Sequence, residues 1–404
     1  MFAISQPVED EITMGKQVLY ISGKLFPVNS GDAIYSLGIL ERIASPDSTF
    51  DVLSYEYTET DVETEEYRYY SKLFRQMRLV PYQPTKWENY KKVLFYGDST
   101  QKYLPRMMEE ADRLLSETQY DVIILDHLRM FFLYETIQKH IDRKRTKLVL
   151  IQHNIEHMNA REEIRYQSRA KDKWKLRLLN RGIKRLEHQA IQAVDDIWVI
   201  SEEDKKLISA MGKAADHIHV IPPYYNYPTI KEREHVEHPS YNLLLLGSME
   251  WYPNVLGALW FIENVFQELV KQDERYRLFV VGRDPSPLIQ KYHSEQIIVT
   301  GAVKSVDEYI RSCDFLIVPN TLGGGAKIKI LEGIMKGIPV LATKESTVGY
   351  SEDIFDEDFC VNHPQTFVQK IIQLNKDAAK KITFVNKARS IISDNQKLRG
   401  ILGQ

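Results

Sequence analysis

The chain has 404 residues, 43% hydrophobic and 27% charged, a balance that supports two packed domains. A formal net charge of −3 and an isoelectric point near 6.4 exclude the global basic footprint of a nucleic-acid binder. Cys313 and Cys360, with no C-x-x-C motif, exclude a disulfide framework and read as reduced thiols of a cytoplasmic protein.

The opening MFAISQPVEDEIT is acidic and lacks a basic n-region, so no secretory leader is expected. No apolar run reaches the ~20 residues that span a bilayer. Instead, short apolar runs alternate with amphipathic stretches, the pattern of a parallel sheet covered by helices on both faces. Strands are expected at 17–22, 50–55, 121–125, 147–152 and 197–201, then again at 241–247, 277–282, 297–301, 315–319 and 339–343. Helices fit at 34–44, 104–117, 129–140, 254–271, 306–311 and 326–336. The pattern therefore runs through twice, with a Pro-rich, charged linker expected around 222–240. The acidic stretch 58–67 reads as a solvated loop.

In open α/β sheets ligands bind beyond the carboxyl ends of the strands. The second run has four such exits, LLLLG-SMEWYPN, FVVG-RDPSP, IIVTG-AVKSV and FLIVP-NTLGGGAKIK. The last is the richest. Its glycines allow close backbone approach, and the helix that follows offers unpaired N–H groups to an anion. Lys327 and Lys329 sit in the first turn, where the dipole disfavours a cation unless an anion is bound. Glu332 lies one turn on, placed to accept hydrogen bonds from a ribose diol. A plain glycine turn followed by a surface helix with a Glu–Lys pair is the alternative for this segment alone. A Walker-A loop is excluded by spacing, and G-x-G-x-x-G is absent after the first strand.

In the first run, Asp126 and His127 end the strand DVIIL, a polar pair placed to reach an acceptor. His153 and Asn154 follow KLVLIQ in the same way. The sequence HNIEH lacks the HExxH order and suggests no third ligand, so no metal is expected there. From Arg161 to Glu187 there are ten Lys or Arg against four acids, a local charge of +6. This is either a solvated helical face or a surface attracted to an anionic membrane or a phosphate-bearing acceptor.

The stretch from FVVGRDPSPLI through IIVTGAVKSVDEYIRSCDFLIVPNTLGGGAKIKILEGIMKGIPVLAT resembles the nucleotide-binding half of glycosyltransferase family 4, in the GT-B fold. LGSMEWYPN resembles the first-strand exit of a bacterial subset with a triple glycine. In the first half the likeness rests on FPVNSGDAIYSLGILERI, HNIEHMNARE and VISEEDKKLI. The resemblance implies two Rossmann-like, doubly wound α/β domains facing a cleft. These would be an acceptor-side domain over 1–225, a nucleotide-sugar domain over 226–380, and a final helix over 381–404 crossing back to the first. It implies a UDP- or GDP-sugar donor, a glycan, lipid-linked or protein acceptor, retention of configuration, and no metal or other cofactor. The setting implied is cell-surface polysaccharide or glycoprotein synthesis in the cytoplasm; peripheral membrane contact through 161–187 is an expectation from the charge of that region and not from the resemblance.

By the same resemblance, Lys329 neutralises the donor diphosphate, Glu332 holds the ribose, and Gly324 and Gly325 cradle phosphate or sugar. Gly247 and Ser248 line the first exit, Arg283 is a second cation, and the backbone around Gly301 and Val303 meets the base. Gly31 resembles the loop that closes over the donor phosphate, and His153 faces the donor sugar. Many members carry a Glu eight residues before the position of Glu332, in a Glu-x7-Glu pattern; here that place is held by Gly324, as in the triple-glycine subset. A catalytically silent binding module and a sugar-nucleotide epimerase are the alternative readings.

Overall fold

The computed structural model describes residues 15–26, 28, 30–44, 48–56, 65–81, 104–166, 170–223, 239–249, 251–322 and 325–401. The body of the expected linker, most of the acidic stretch 58–67 and Gly324 lie outside the described residues. The chain divides into two compact units, Met1–Pro223 and Tyr224–Gln404.

Among the described residues the first unit holds seven parallel strands. These are β1 (Gln17–Ile21), β2 (Thr49–Glu56), β3 (Gln76–Pro81), β4 (Val122–Asp126), β5 (Lys147–Gln152), β6 (Asp196–Val199) and β7 (Ile218–Val220). Their order in the sheet is β3-β2-β1-β4-β5-β6-β7. The five expected strands are the five inner ones, because only strands covered on both faces read as continuous apolar runs. The edge strands were not foreseen: β3 buries only Val80 fully, and β7 is three residues long. Leu19, Ile21, Ile123, Leu125, Leu148 and Leu150 are all inaccessible to solvent and form the centre of the core.

Helix starts follow local chemistry. Ser30 caps the Gly31–Ile43 helix, its hydroxyl accepting from the Ala33 N–H at 3.3 Å. Ser201 caps Glu202–Ala210 in the same way through Asp204, with three acids in the first turn to meet the dipole. One expected helix differs. Over 129–140 the chain forms a 3-10 helix, Leu128–Leu133, before a short α-helix, Tyr134–Gln138. Five of its six 3-10 residues are buried, and the tighter winding stacks Leu128 on Phe131 and Met130 on Leu133 at i, i+3.

The second unit holds β8 (Tyr241–Leu246), β9 (Tyr276–Val281), β10 (Ile297–Gly301), β11 (Phe315–Val318) and β12 (Val340–Ala342). All pair in parallel, in the order β10-β9-β8-β11-β12. The helix expected over 254–271 starts at Tyr252 and is interrupted by a π turn, Ile262–Phe266, which carries Ile262, Val265 and Phe266 onto the buried side. The final helix, Ala378–Ile401, stacks Phe384 on Phe359 at 4.0 Å within the same unit. Its Arg389 donates to the carbonyls of Ile334 and Met335, at 3.0 and 2.7 Å, and so caps the carboxyl end of the Ile328–Lys336 helix.

Both sheets reverse their winding direction once, between β1 and β4 and between β8 and β11. Such switch points leave a crevice at the carboxyl edge. The polar side chains of greatest interest lie at these two places.

Candidate functional site

In the second unit the exits of β8, β9 and β10 meet backbone to backbone. Gly282 has φ +158, and a Cβ there would lie 1.8 Å from the carbonyl oxygen of Gly247. Gly247 itself has φ +138, and its missing Cβ would meet Asn254 Nδ2 at 2.7 Å and Lys329 Nζ at 3.1 Å. These glycines are a packing requirement. They leave Gly247 and Ser248 beside the Lys329 amine.

Asn254 organises the switch point. It is 7% exposed; its Nδ2 donates to the Ser248 carbonyl at 2.9 Å, and its Oδ1 accepts from Lys329 Nζ at 2.7 Å and from Asn320 Nδ2 at 3.2 Å. Lys329 is half-buried, and its hydrogen-bond partner is a neutral amide. Desolvation, with a smaller contribution from the charge of Lys327, pulls its pKa down to about 7.

The turn before it is braced from behind. Lys327 is buried at 4% exposure and donates to the Gly325 carbonyl at 2.9 Å, where Gly325 has φ +70. Tyr350 donates its hydroxyl proton to the Lys327 carbonyl at 2.9 Å and accepts from the Leu331 N–H at 3.2 Å. The Ile328–Lys336 helix opens with no side-chain cap and no acid in its first turn, then ends at Gly337 with φ +91. The two lysines thus differ: Lys327 holds the loop, whereas Lys329 points its amine at the exit of β8.

Glu332 is paired one turn further along its own helix. Its Oε1 accepts from Lys336 Nζ at 2.7 Å, and the same amine meets Asp307 at 2.7 Å. Arg283 is exposed after β9, and its carbonyl accepts from the Met249 N–H at 3.0 Å. Gly301 has φ +71 with nothing within 4 Å of a hypothetical Cβ, so the end of β10 faces open space beside half-buried Val303.

In the first unit the carboxyl ends of β1, β4 and β5 carry a buried chain of polar groups. Ser22 donates to Asp126 Oδ2 at 2.5 Å, and Asp126 Oδ1 meets His153 Nε2 at 2.6 Å. His153 Nδ1 lies 4.0 Å from Asp32, and its ring packs edge-on against Tyr35 at 5.0 Å. Burial lowers the His153 pKa, but the charge and hydrogen bond of Asp126 outweigh it, and the net shift is upward. Burial likewise raises Asp126, and the His153 charge together with hydrogen bonds from His153 and Ser22 brings it below the ordinary carboxylate value. Each group thus favours the charged form of the other.

His127 takes φ +87, a left-handed conformation rare outside glycine and a place where strain is stored. Its ring lies 4.9 Å from that of His153, and its Nε2 lies 3.4 Å from Glu156. Glu156 is pushed up to about 7, first by burial and further by the charges of Glu187 and Asp32, against the pull of Arg129. Arg129 itself pairs with Asp32 at 3.0 Å. Asn154 is half-buried beside His153. Gly31 is exposed as the first residue of its helix, one position before Asp32.

The structure therefore brings together Gly247, Ser248 and Lys329 in one unit and Asp126, His127 and His153 in the other. Sequence inspection missed Asn254, Asn320 and Tyr350, and likewise Ser22, Asp32 and Glu156. Each supports another residue from a distant stretch of chain, and no local pattern marks it. Asn254 and Asn320 did have a signal, as the last residue of the exit SMEWYPN and the first of the exit NTLGGGAKIK. Among the described residues no cluster of His, Cys, Asp or Glu is placed to hold a metal ion, and no helix is long and apolar enough to cross a membrane.

Two family models match the chain, one on each unit. Glycosyltransferase Family 4 matches residues 65–226, and Glycosyl transferases group 1 matches residues 240–377. Among curated proteins none matches. Solved structures align over nearly the full length. Anabaena Alr3699/HepE in complex with UDP-glucose is 13% identical with a TM-score of 0.59, covering 96% of this chain and 99% of that one. A variant of S. aureus TarM, in complex with Fondaparinux, alpha-GlcNAc-glycerol and UDP, is 11% identical with a TM-score of 0.64, covering 96% and 98%. A glycosyltransferase from Rickettsia africae ESF-5 is 13% identical with a TM-score of 0.59, covering 96% of each chain. Together with the two parallel sheets, these likenesses show the GT-B two-domain fold.

Proposed function

The chain belongs to the group 1 glycosyltransferases, family 4, and on that premise we propose that it moves a sugar from a UDP- or GDP-sugar to a glycan, lipid-linked or protein acceptor with retention. The observation that carries the donor half is the Lys329 amine at the β8–β11 switch point. It is stripped of much of its water, held by a neutral amide, and set beside a glycine whose side chain would fill the space. Such a cation is poised for an anion that arrives with a ligand. UDP is the preferred nucleotide, because the HepE and TarM structures were solved with UDP-glucose and UDP.

In this reading the departing diphosphate gathers negative charge as the glycosidic bond to it breaks. Lys329 and the opening amides of the Ile328–Lys336 helix stabilise that charge without a metal. Glu332, steadied by Lys336, accepts from the ribose hydroxyls, Gly301 and Val303 meet the base, and Arg283 adds a second cation. Gly324 and Gly325 leave room for the phosphate and sugar. His153, Asp126, His127, Asn154 and Gly31 are assigned to the sugar and acceptor end of the reaction. The setting assigned is cell-surface polysaccharide or glycoprotein assembly.

A panel of nucleotide sugars tests this. The expected result is slow release of UDP or GDP even without acceptor, and thermal stabilisation by one nucleotide that is lost in Lys329→Ala and Glu332→Ala. Absence of any nucleotide binding would make the chain a silent binding module. Recovery of an epimeric nucleotide sugar would make it an epimerase. Retention is read from the anomeric configuration of the product.

A further inference from the structure

The Ala170–Ala193 helix has two faces of opposite chemistry. Its inner face buries Ile183, Glu187, Ala190 and Ile191. Glu187 there accepts from Gln152 Nε2 at 2.7 Å and from the Glu156 N–H at 2.8 Å, which ties the helix to the turn carrying His153.

At helical spacing the opposite side centres on Trp174, Leu178 and Arg185, flanked by Lys171, Lys175 and Arg181. All six are exposed, Trp174 by 67% and Leu178 by 54%. Trp174 is the most exposed large apolar side chain among the described residues. Neither acid of the helix shares this face, since Asp172 is half-buried and Glu187 fully buried. The whole chain carries −3, so the positive field is local to this surface.

Single apolar residues on a surface need no explanation. An indole and a leucine one turn apart, ringed by cations that repel one another, do. Both costs are relieved by a surface that is anionic outside and apolar just beneath. We propose that this helix face docks on an anionic lipid bilayer, with Trp174 and Leu178 entering the headgroup boundary and the four cations meeting lipid phosphates. A soluble polyanion would satisfy the cations but leave Leu178 in water, so lipid is the occupant the chemistry selects.

Flotation of the full chain with phosphatidylcholine vesicles, with or without roughly 30% phosphatidylglycerol, tests the proposal. Binding is expected only with the anionic lipid. Each cation at such a surface is worth about fivefold in affinity, so Lys171→Glu with Arg181→Glu weakens binding by more than about twentyfold. Trp174→Ala with Leu178→Ala also weakens it, and thermal melts confirm that each variant is folded. Brominated acyl chains quench part of the tryptophan emission in the native chain and none of that part in Trp174→Phe. The proposal is overturned if no vesicles bind, or if Trp174→Ala with Leu178→Ala leaves vesicle binding unchanged. Equal affinity for soluble heparin, with no quenching by lipid, also overturns it. The readout is vesicle binding and not sugar transfer, so its outcome is independent of the donor assignment.

Discussion

Lys329 and Asn254 are 75 residues apart, yet the lysine amine rests on the asparagine amide oxygen at 2.7 Å. Asn254 in turn is fixed by Ser248 and Asn320, so one neutral side chain positions the cation relative to the exits of β8 and β11. A carboxylate in its place would have neutralised Lys329. An amide steers the ammonium and leaves its charge for a ligand.

Asn254→Ala therefore removes an acceptor shared by two donors and a donor to Ser248. The expected cost is about 1–3 kcal/mol of stability, read by urea unfolding. Nucleotide affinity is expected to fall at least about tenfold, read by calorimetry with UDP and GDP. Asn254→Asp is expected to keep more stability and still weaken binding, because it supplies the negative charge internally.

A lysine with a pKa of about 7 is largely neutral at pH 8. A diphosphate beside it favours the charged form and raises that value. UDP binding at pH 8 should then take up a proton, and the uptake should vanish as pH falls below about 6, where the amine is already charged. Calorimetry in buffers of different ionisation enthalpy measures this. Lys329→Met is the control that separates the lysine from the titration of the phosphate itself, which lies near pH 6.

Gly247 and Gly301 predict different costs for the same substitution. A Cβ at Gly247 falls 2.7 Å from Asn254 Nδ2 and 3.1 Å from Lys329 Nζ, at φ +138. Gly247→Ala should therefore abolish nucleotide binding and lower the melting temperature. At Gly301 the surrounding space is open and only φ +71 is unfavourable, so Gly301→Ala should cost about 1–2 kcal/mol with the unit still folded. A larger loss of stability at Gly301 than at Gly247 would contradict the packing described.

The His153–Asp126 pair makes stability depend on pH in two opposite directions. His153 has a raised folded pKa, so its contribution is complete below the unfolded value of about 6.5 and is lost as pH rises through the folded one. Asp126 has a depressed folded pKa, so its contribution is present above about 3.9 and is lost as pH falls through the folded one. Asp126→Asn should remove the alkaline slope and cost about 1–3 kcal/mol near neutral pH, because the charge-assisted hydrogen bond is lost and burial then favours the neutral imidazole. Urea unfolding of both proteins between pH 5.5 and 9 checks the slope.

Ten of the twelve strands among the described residues were legible because each is a short apolar run closed by Gly, Ser, Pro or a charge. β3 and β7 were not, since an edge strand is half-solvated and its residues read as loop. At the site, Lys329 stood out as a cation at a helix start, where the dipole disfavours it. Its meaning was less legible. Beside it, Lys327 has the same residue type two positions away but turns to the Gly325 carbonyl. Glu332, three residues on from Lys329, takes Lys336 instead. Spacing along a helix gives the face of a side chain, and the packing around it selects the partner.

By itself the amino-acid sequence determined the two parallel α/β runs, the strand exits and the glycine turn before Ile328, because period, apolar content and turn chemistry are local properties. Only the tertiary structure decided which groups support the reactive ones. Asn254 reaches Lys329 and Ser22 reaches Asp126 across 75 and 104 residues, and Glu187 reaches the turn after β5 from the inner face of its helix. Those contacts exist because a parallel sheet returns every strand to the same edge, placing distant carboxyl ends side by side. Burial there strips water from Lys329, His153 and Glu156, and desolvation, which has no signature in residue order, sets how each holds its proton.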